Sequence, residues 1–373
     1  MSSRKILLLR HSDSVDMTFG INWLNFYDPV TGLLKVPQGT PAQFDYIPVP
    51  DVNLPPENLP SVGKDDFNFA ENDRRQHPTE PNGTETSVSF VYVPSIVFRS
   101  VPSEMASING PLQFDYSNCH CPFPANVTYA PYRPDGFDAW ASDPFLTESG
   151  RIMAVAVGQY LRKIKFGLEQ FGRRIYVSPS YASIETASCI LDGLLGTSRE
   201  EVEICIEPGL ALYPHRFRAV PSYIESSELA LHHPFRVNSR YKTVFDKAKL
   251  SIKEEINAYY DSNSLSSRNR ETVRHLLKSY RFPFLIIVAH AGTLEAVCRT
   301  LRGMKPLDEQ NYCRCIEGIP FLADACLSEE PNGAWKLTDS PLLRFSQVGN
   351  QKQEDWSWLN LDDAQLKIKF RKK

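Results

Sequence analysis

Two histidines in this sequence stand directly after short apolar segments. His11 follows the segment at 5–9 with one arginine between them, and His290 follows the segment at 284–289. Apolar runs of this length between polar residues are typical of strands buried in a sheet. A neutral imidazole can act as a nucleophile, as a proton carrier or as a partner for an anion. The two strand ends are therefore the first candidates for a reactive site.

Helical patterns alternate with such strands through the second half of the chain. Thr147 precedes apolar residues at helical spacing, and a hydroxyl in that position caps a helix. The sequence then predicts a strand at 174–177, a helix at 184–195, a strand at 202–206, helices at 242–259 and 270–279, the strand at 284–289 and a helix near 293. Because parallel strands need helical crossovers, this order predicts an α/β fold with a largely parallel central sheet and helices on both faces. Ligands of such sheets bind at the carboxyl ends of the strands, where both histidines fall.

Composition and charge exclude several classes of function. The chain has 373 residues, 42% of them hydrophobic and 23% charged, and its net charge is −3. That charge does not suit a nucleic-acid partner, and the longest apolar runs fall far short of the roughly 20 residues that cross a bilayer. The amino terminus carries no secretory signal pattern. We therefore expect a soluble globular protein in the cytoplasm, with no nucleic-acid and no membrane partner.

Residues 37–134 differ from the rest of the chain because they hold 16 of its 28 prolines. Proline lacks an amide donor and constrains φ, which disfavours long helices and central strands. We interpret this stretch as an irregular, partly disordered insertion within a single domain that spans 1–373. Its one strand-like portion is 88–98. Proline-recognising modules bind extended segments of this kind, so such a partner is one hypothesis for the insertion, and a plain disordered loop is the other.

Eight cysteines in a chain of this length do not form a dense disulfide framework, and in the cytoplasm they stay reduced. The two tight clusters are Cys119-His120-Cys121 and Cys313-Arg314-Cys315. They contain enough ligands for a zinc ion, but the usual zinc spacing has two residues between paired cysteines. We therefore predict no metal and no cofactor, and we interpret most cysteines as buried apolar residues.

The first histidine lies in Arg10-His11-Ser12-Asp13-Ser14-Val15-Asp16, which resembles the Arg-His-Gly-Glu-Arg-x-Asp signature of the histidine phosphatase superfamily, the phosphoglycerate-mutase-like proteins. Later segments are similar to further motifs of that family in the same order, at 143–150, 177–187, 207–210 and 287–291. The similarity is closest to the phosphatase domain of the suppressors of T-cell receptor signalling and of the ecdysteroid-phosphate phosphatases. Segments at 19–23, 227–229, 289–296, 319–321 and 335–339 carry that closer match.

The resemblance implies a phosphoryl transfer that needs no metal, in which a neutral histidine attacks phosphorus and becomes a phosphohistidine. On the matching positions, His11 is the nucleophile and His290 is the second phosphate-binding histidine. Arg10 is a phosphate-binding cation. Glu207 matches a structural glutamate of the family, so we do not expect it to be the acid.

This sequence departs from the family pattern at three functional positions. Ser14 and Ala182 stand where the family has phosphate-binding arginines. Leu212 stands where the similar branch has a proton-donating glutamate. Candidate substitutes in the chain are His215, Arg216 and Arg218, although solvated loop residues are the plainer interpretation of these three. Because two cations and an acid are missing, we expect a turnover several orders of magnitude below that of an intact enzyme.

Two functions fit this pattern. The first is a pseudophosphatase that binds a phosphorylated small molecule or a phosphoprotein without turnover. The alternative is a weak metal-independent phosphomonoesterase that acts on protein phosphotyrosine or a small phosphorylated metabolite through a phosphohistidine at His11. The similar branch pairs through its phosphatase domains, so the resemblance also implies a homodimer.

Overall fold

The computed structural model describes residues 4–16, 23–30, 112–115, 130–211, 221–246, 262–342 and 345–348. The chain divides into two units, one formed by Met1–Val36 with Arg99–Lys373 and the other by Pro37–Phe98. The second unit, including the strand-like portion at 88–98, lies outside the described residues. Within the described ranges, no helix has the length and apolar character needed to cross a membrane.

The larger sheet confirms the α/β architecture. Its strand order is β4 (Glu203–Ile206), β3 (Arg174–Val177), β5 (Phe284–Ala289), β1 (Lys5–Arg10), β6 (Asp324–Glu329) and β7 (Trp335–Thr338). The first four strands run parallel, as the alternating pattern predicts. Strands β6 and β7 add an antiparallel edge that the sequence analysis missed.

A separate pair of strands involves the proline-rich stretch. Leu112–Asp115 forms strand β2, and Phe345–Val348 forms strand β8, which pairs with it in parallel. The described part of 37–134 therefore includes one regular strand, at a different place from the predicted strand-like portion.

Six helices of the described residues accompany the sheet. They are α1 (Glu148–Lys163), α2 (Tyr181–Leu195), α3 (Ser226–His232), α4 (Ser262–Ser279), α5 (Ala291–Leu301) and α6 (Glu309–Gly318). The side chains of β1 alternate between two cores: Leu7 and Leu9 pack with residues of α1 and α2, whereas Ile6 and Leu8 pack with residues of α4 and α5. The prediction of helices on both faces of the sheet is therefore confirmed, and the continuous apolar run of β1 follows from burial on both sides.

Helix α1 begins where Thr147 predicts it. The Thr147 hydroxyl accepts a hydrogen bond from the amide of Gly150 at 2.9 Å. A Cβ at Gly150 would lie 2.3 Å from the carbonyl oxygen of Asp13, so only glycine lets the helix approach the loop after β1 this closely. The first turn of α1 is thereby pressed against the segment that carries His11.

The helix predicted at 242–259 is wrong in its first turn. Residues 242–246 are not helical, and 247–259 lie outside the described residues. The amides of Val244 and Phe245 donate to the buried carboxylate of Glu207, at 2.8 and 3.0 Å. The first four amides of a helix have no acceptor within the helix, so these bonds are compatible with either conformation; what they do is join 244–245 to the turn after β4.

Candidate active site

Three neighbouring parallel strands bring the predicted residues together. Strands β3, β5 and β1 lie side by side, so their carboxyl ends meet at one edge of the sheet. The amide of His11 donates to Ala289 at 2.8 Å, and the amide of Ser178 donates to Val288 at 3.0 Å. The rings of His11 and His290 consequently lie with their centroids 5.1 Å apart, edge to face at 74°.

The imidazole of His11 is held in one orientation. Its Nδ1 lies 2.8 Å from the carbonyl oxygen of Ser12, which can only accept a hydrogen bond. Burial, and secondarily the charge of Arg10, lowers the pKa of His11 to about 3, so the ring is neutral at physiological pH. Nδ1 therefore carries the proton and Nε2 keeps its lone pair, which is the state that a nucleophilic histidine requires.

His290 stands between strand β5 and helix α5. Its Nε2 lies 2.9 Å from the hydroxyl oxygen of Ser178, at the end of the adjacent strand. Burial first, then the nearby His11 and Arg10, lowers the pKa of His290 well below its ordinary value. Both histidines of the site are therefore neutral near pH 7.

Arg10 is turned toward the loop after helix α6. Its Nη1 donates to the carbonyl oxygen of Ile319, and its guanidinium lies 4.0 Å from the ring centroid of Phe321. Burial lowers the pKa of Arg10 to about 10, against the opposing influence of Asp13 and Asp16, so the guanidinium stays charged at neutral pH. At least one Arg10 donor is therefore bonded to the protein backbone and not to a ligand.

The loop after β1 has hydroxyl groups at two positions where the family pattern has other residues. Ser12 is fully buried, and its hydroxyl donates to the carbonyl oxygen of Gly150 at 2.7 Å. The hydroxyl of Ser14, which is 2% exposed, donates to the Asp16 carboxylate at 2.7 Å. Ser14, which stands where the family has the second arginine of this motif, therefore bonds to a carboxylate and supplies no charge.

Helix α2 begins beside Ala182, the second position where the family pattern has a phosphate-binding arginine. Ala182 lies in its first turn and is 4% exposed. The preceding amide, of Tyr181, donates to Asp143 at 2.8 Å. A carboxylate thus stands at this helix N-terminus, where it interacts favourably with the helix dipole.

Asp143 is paired with a buried arginine that the sequence analysis did not single out. Arg133 Nη1 lies 3.3 Å from the Asp143 carboxylate, and its other donors reach Asp135 and the carbonyl oxygen of Ser222. Burial raises the pKa of Asp143 to about 6, although the charge of Arg133 opposes the shift. Arg133 donors are therefore bonded to two carboxylates and a carbonyl oxygen. Only the fold brings Arg133 to Asp143, so a short sequence motif could not have identified the pair.

Glu207 has a structural position. Its carboxylate accepts four hydrogen bonds, from the amides of Gly209, Val244 and Phe245 and the hydroxyl of Tyr241. The side chain is fully buried. These bonds join the turn after β4 to residues 241–245, in agreement with the interpretation of Glu207 as structural.

The structure thus brings together His11, His290 and Arg10 from the predicted set. Ser14 and Ala182 are buried as described above. Leu212 and the candidate substitutes His215, Arg216 and Arg218 lie in the undescribed segment 212–220, so their roles stay predictions.

The predicted cysteine clusters show no metal geometry where the structure describes them. Within the described ranges, no group of three His, Cys, Asp or Glu side chains converges on a common point. Cys315 is buried and Cys313 is half-buried, while 119–121 lie outside those ranges.

Comparison with known proteins extends this picture. No protein-family model matches the chain. The chain is 30% identical over 236 residues to the ecdysteroid-phosphate phosphatase of Drosophila melanogaster, which covers 62% of this chain and 29% of that protein. It is 29% identical over 219 residues to ubiquitin-associated and SH3 domain-containing protein B of Homo sapiens, covering 57% and 32%. The chain therefore spans about a third of the length of these curated relatives.

A solved structure has a similar fold. The crystal structure of the ecdysone phosphate phosphatase from Bombix mori, in complex with tungstate, matches with a TM-score of 0.53 and 17% identity, covering 95% of this chain and 99% of that one. The sheet, the strand-end histidines and these relatives match the resemblance to the histidine phosphatase superfamily, the phosphoglycerate-mutase-like proteins. The chain is similar in sequence to an ecdysteroid-phosphate phosphatase and to ubiquitin-associated and SH3 domain-containing proteins.

Proposed function

We propose that this chain is a pseudophosphatase that binds a phosphate-bearing ligand with little or no turnover. The proposal rests mainly on the uncharged side chains at positions 14 and 182, where the family pattern has arginines. Ser14 is hydrogen-bonded to a carboxylate and Ala182 is apolar, and both are buried. Arg10 is the cation whose charge acts on both histidines. Arg10 alone among the described residues, and with one donor bonded to Ile319, is poorly matched to the charge that develops in phosphoryl transfer.

Magnitudes support a strong loss of rate. A hydrogen bond to a charged group contributes about 1.5–3 kcal/mol, and two arginines of the family pattern are absent. A positioned general acid contributes about 10²- to 10⁴-fold, and Leu212 offers no proton at the matching position. The effects of the missing arginines and of the missing acid are not additive. Each of them by itself is nevertheless expected to lower turnover well below that of an intact enzyme.

The ligand that we propose is a phosphomonoester, carried by a small molecule or by a phosphoprotein. The name of one relative gives an ecdysteroid phosphate as the substrate of that protein, which makes a small phosphorylated molecule a reasonable first probe. We also propose a cytoplasmic location, pairing into a homodimer and a proline-recognising partner for 37–134. These three proposals rest on the sequence and on the resemblance.

A second function is a slow phosphomonoesterase that works through a phosphohistidine at His11. The hydrogen bond from Nδ1 to Ser12 favours it, because this bond leaves the lone pair of Nε2 for attack on phosphorus. Loss of phosphate-binding charge would slow this chemistry without removing the nucleophile.

Two measurements on the full chain test these proposals. Calorimetric titration with inorganic phosphate is expected to detect binding, while hydrolysis of p-nitrophenyl phosphate is expected to equal that of the His11→Ala variant. His232→Ala, at an exposed position on α3, is the matched control. Hydrolysis that His11→Ala abolishes and His232→Ala preserves would replace the first function by the second. Absence of phosphate binding in folded protein would overturn the binding role.

A further inference from the structure

The two histidines offer different ring nitrogens to a ligand. Nδ1 of His11 is engaged by Ser12, and Nε2 of His290 is engaged by Ser178. Among the described residues, no protein group hydrogen-bonds Nε2 of His11 or Nδ1 of His290. The ring centroids lie 5.1 Å apart. Two rings this close together can both form hydrogen bonds of about 2.8 Å with one phosphate group.

The partners of the two rings determine where their protons lie. The Ser12 carbonyl leaves the lone pair on Nε2 of His11, as derived above. Ser178 is fully buried, and Nε2 of His290 is the acceptor that its hydroxyl has within the described residues. A second contact, from the amide of Ser180 at 3.5 Å, uses a lone pair of the same hydroxyl. Because a buried donor without an acceptor is unfavourable, Ser178 donates to Nε2 and the proton of His290 lies on Nδ1.

Among the residues that the structure describes, few charged groups surround the two histidines. Arg10 acts on both rings, and Asp13 and Asp16 from the same loop act on Arg10. Ser178 from the end of β3 and Phe321 from the loop after α6 face the histidines without charge. Arg10, the one cation that acts on both rings within the described ranges, matches one negative charge on a ligand. An acceptor nitrogen matches a ligand O–H and repels an unprotonated oxygen.

We propose that this site binds a phosphomonoester as its singly protonated monoanion. The ligand O–H donates to Nε2 of His11, a second phosphoryl oxygen accepts from Nδ1 of His290, and Ser178 is the positioning residue that keeps the His290 proton on Nδ1. The inference rests on the proposed phosphate-binding function and specifies the form of ligand that the site takes.

Titration of the full chain with phosphotyrosine between pH 5.5 and 8.5 tests the proposal. A phosphomonoester loses its second proton with a pKa of about 6, so the affinity is expected to fall about tenfold per pH unit above that value. Phenyl sulfate, a monoanion without an O–H, is the control and is expected to bind more weakly with no such fall. A phosphotyrosine affinity that is constant or rises from pH 6 to 8.5 overturns the monoanion proposal and leaves phosphate binding intact. Absence of binding at every pH overturns the proposed function as well.

The role of Ser178 has its own readout. ¹⁵N NMR of native protein is expected to show His290 protonated on Nδ1, and a spectrum with the proton on Nε2 overturns the proposal whatever the variants do. In Ser178→Ala both tautomers of His290 should be populated, and the affinity for phosphotyrosine at pH 6 should fall about tenfold. Ser178→Thr keeps the hydroxyl, so it should restore the Nδ1-protonated tautomer and the native affinity. Ser279→Ala is the matched control, since that hydroxyl bonds the carbonyl of Leu276 at the end of α4. A Ser178→Ala spectrum and affinity equal to those of the control would contradict the assigned role.

Discussion

The hydroxyl of Ser14 donates a hydrogen bond to the carboxylate of Asp16, with 2.7 Å between the two oxygens. Both residues lie in the loop that follows strand β1 and carries His11. An arginine at position 14 would meet the same carboxylate and could also supply charge to a bound phosphate. The pair therefore marks a place where a single substitution changes the charge of the site.

Restoring the two missing cations is expected to increase turnover. In the double variant Ser14→Arg with Ala182→Arg, p-nitrophenyl phosphate hydrolysis should rise at least about tenfold, because each new charged hydrogen bond is worth about 1.5–3 kcal/mol. Both positions are buried, so folding is checked by circular dichroism and thermal melting. Ser279→Arg, which adds a cation at the exposed end of α4, is the control. A folded double variant with native turnover would show that lost charge is not what limits the rate.

Acid is expected to destabilise the fold through the buried histidines. Burial lowers the pKa of His11 from 6.5 to about 3, so between these values the unfolded chain binds a proton that the folded chain does not. The free energy of unfolding therefore falls as pH falls through this window, by up to about 1.4 kcal/mol per pH unit for each such histidine. Asp143 acts in the opposite direction, because its raised pKa makes the folded state bind a proton first.

Comparison of variants isolates the contribution of His11. Urea unfolding of His11→Gln at pH 6.5, 5.5 and 4.5 should show a shallower loss of stability than the native chain, since one titrating group is gone. His232→Gln changes an exposed histidine and should keep the native slope. Equal slopes for all three proteins would mean that His11 titrates normally in the fold.

Glu207 is expected to be essential for stability. Glu207→Ala removes the acceptor of four hydrogen bonds and leaves the amides of Val244 and Phe245 without it. We expect a loss of about 3 kcal/mol or more in urea unfolding, with faster hydrogen exchange at these two amides. Glu203→Ala, at a surface carboxylate 3.0 Å from Arg174, should cost less than about 1 kcal/mol. A similar small loss for both variants would contradict the structural role of Glu207.

Gly150 is expected to tolerate no side chain. In Gly150→Ala the new Cβ would lie 2.3 Å from the Asp13 carbonyl, so the loop that carries His11 must shift. Overpacking of this kind costs about 1–3 kcal/mol and should also weaken phosphate binding. In Gly167→Ala the three atoms nearest to the new Cβ belong to the movable side chain of Glu169, so that variant should melt and bind as the native chain does. Equal behaviour of the two variants would show that the loop yields at little cost.

Much of the architecture was predictable from local patterns. The apolar runs ending at Arg10, Val177 and Ala289 are strands β1, β3 and β5, because burial on both faces of a sheet requires continuous apolar segments. The positions of His11 and His290 at strand ends followed from the same runs. The antiparallel edge and helix α6 were missed, since their shorter and more mixed patterns do not distinguish their direction or partners.

The sequence by itself determined which reactive side chains stand at the strand ends and which cations of the family pattern are replaced. Tertiary structure decided how those side chains are used. Arg10 turns to Ile319 and Phe321, Ser178 meets His290, and Asp143 pairs with Arg133, in each case across ten or more residues of chain. Periodicity reports burial and local conformation, whereas a hydrogen-bond partner depends on which strands and loops the fold places side by side.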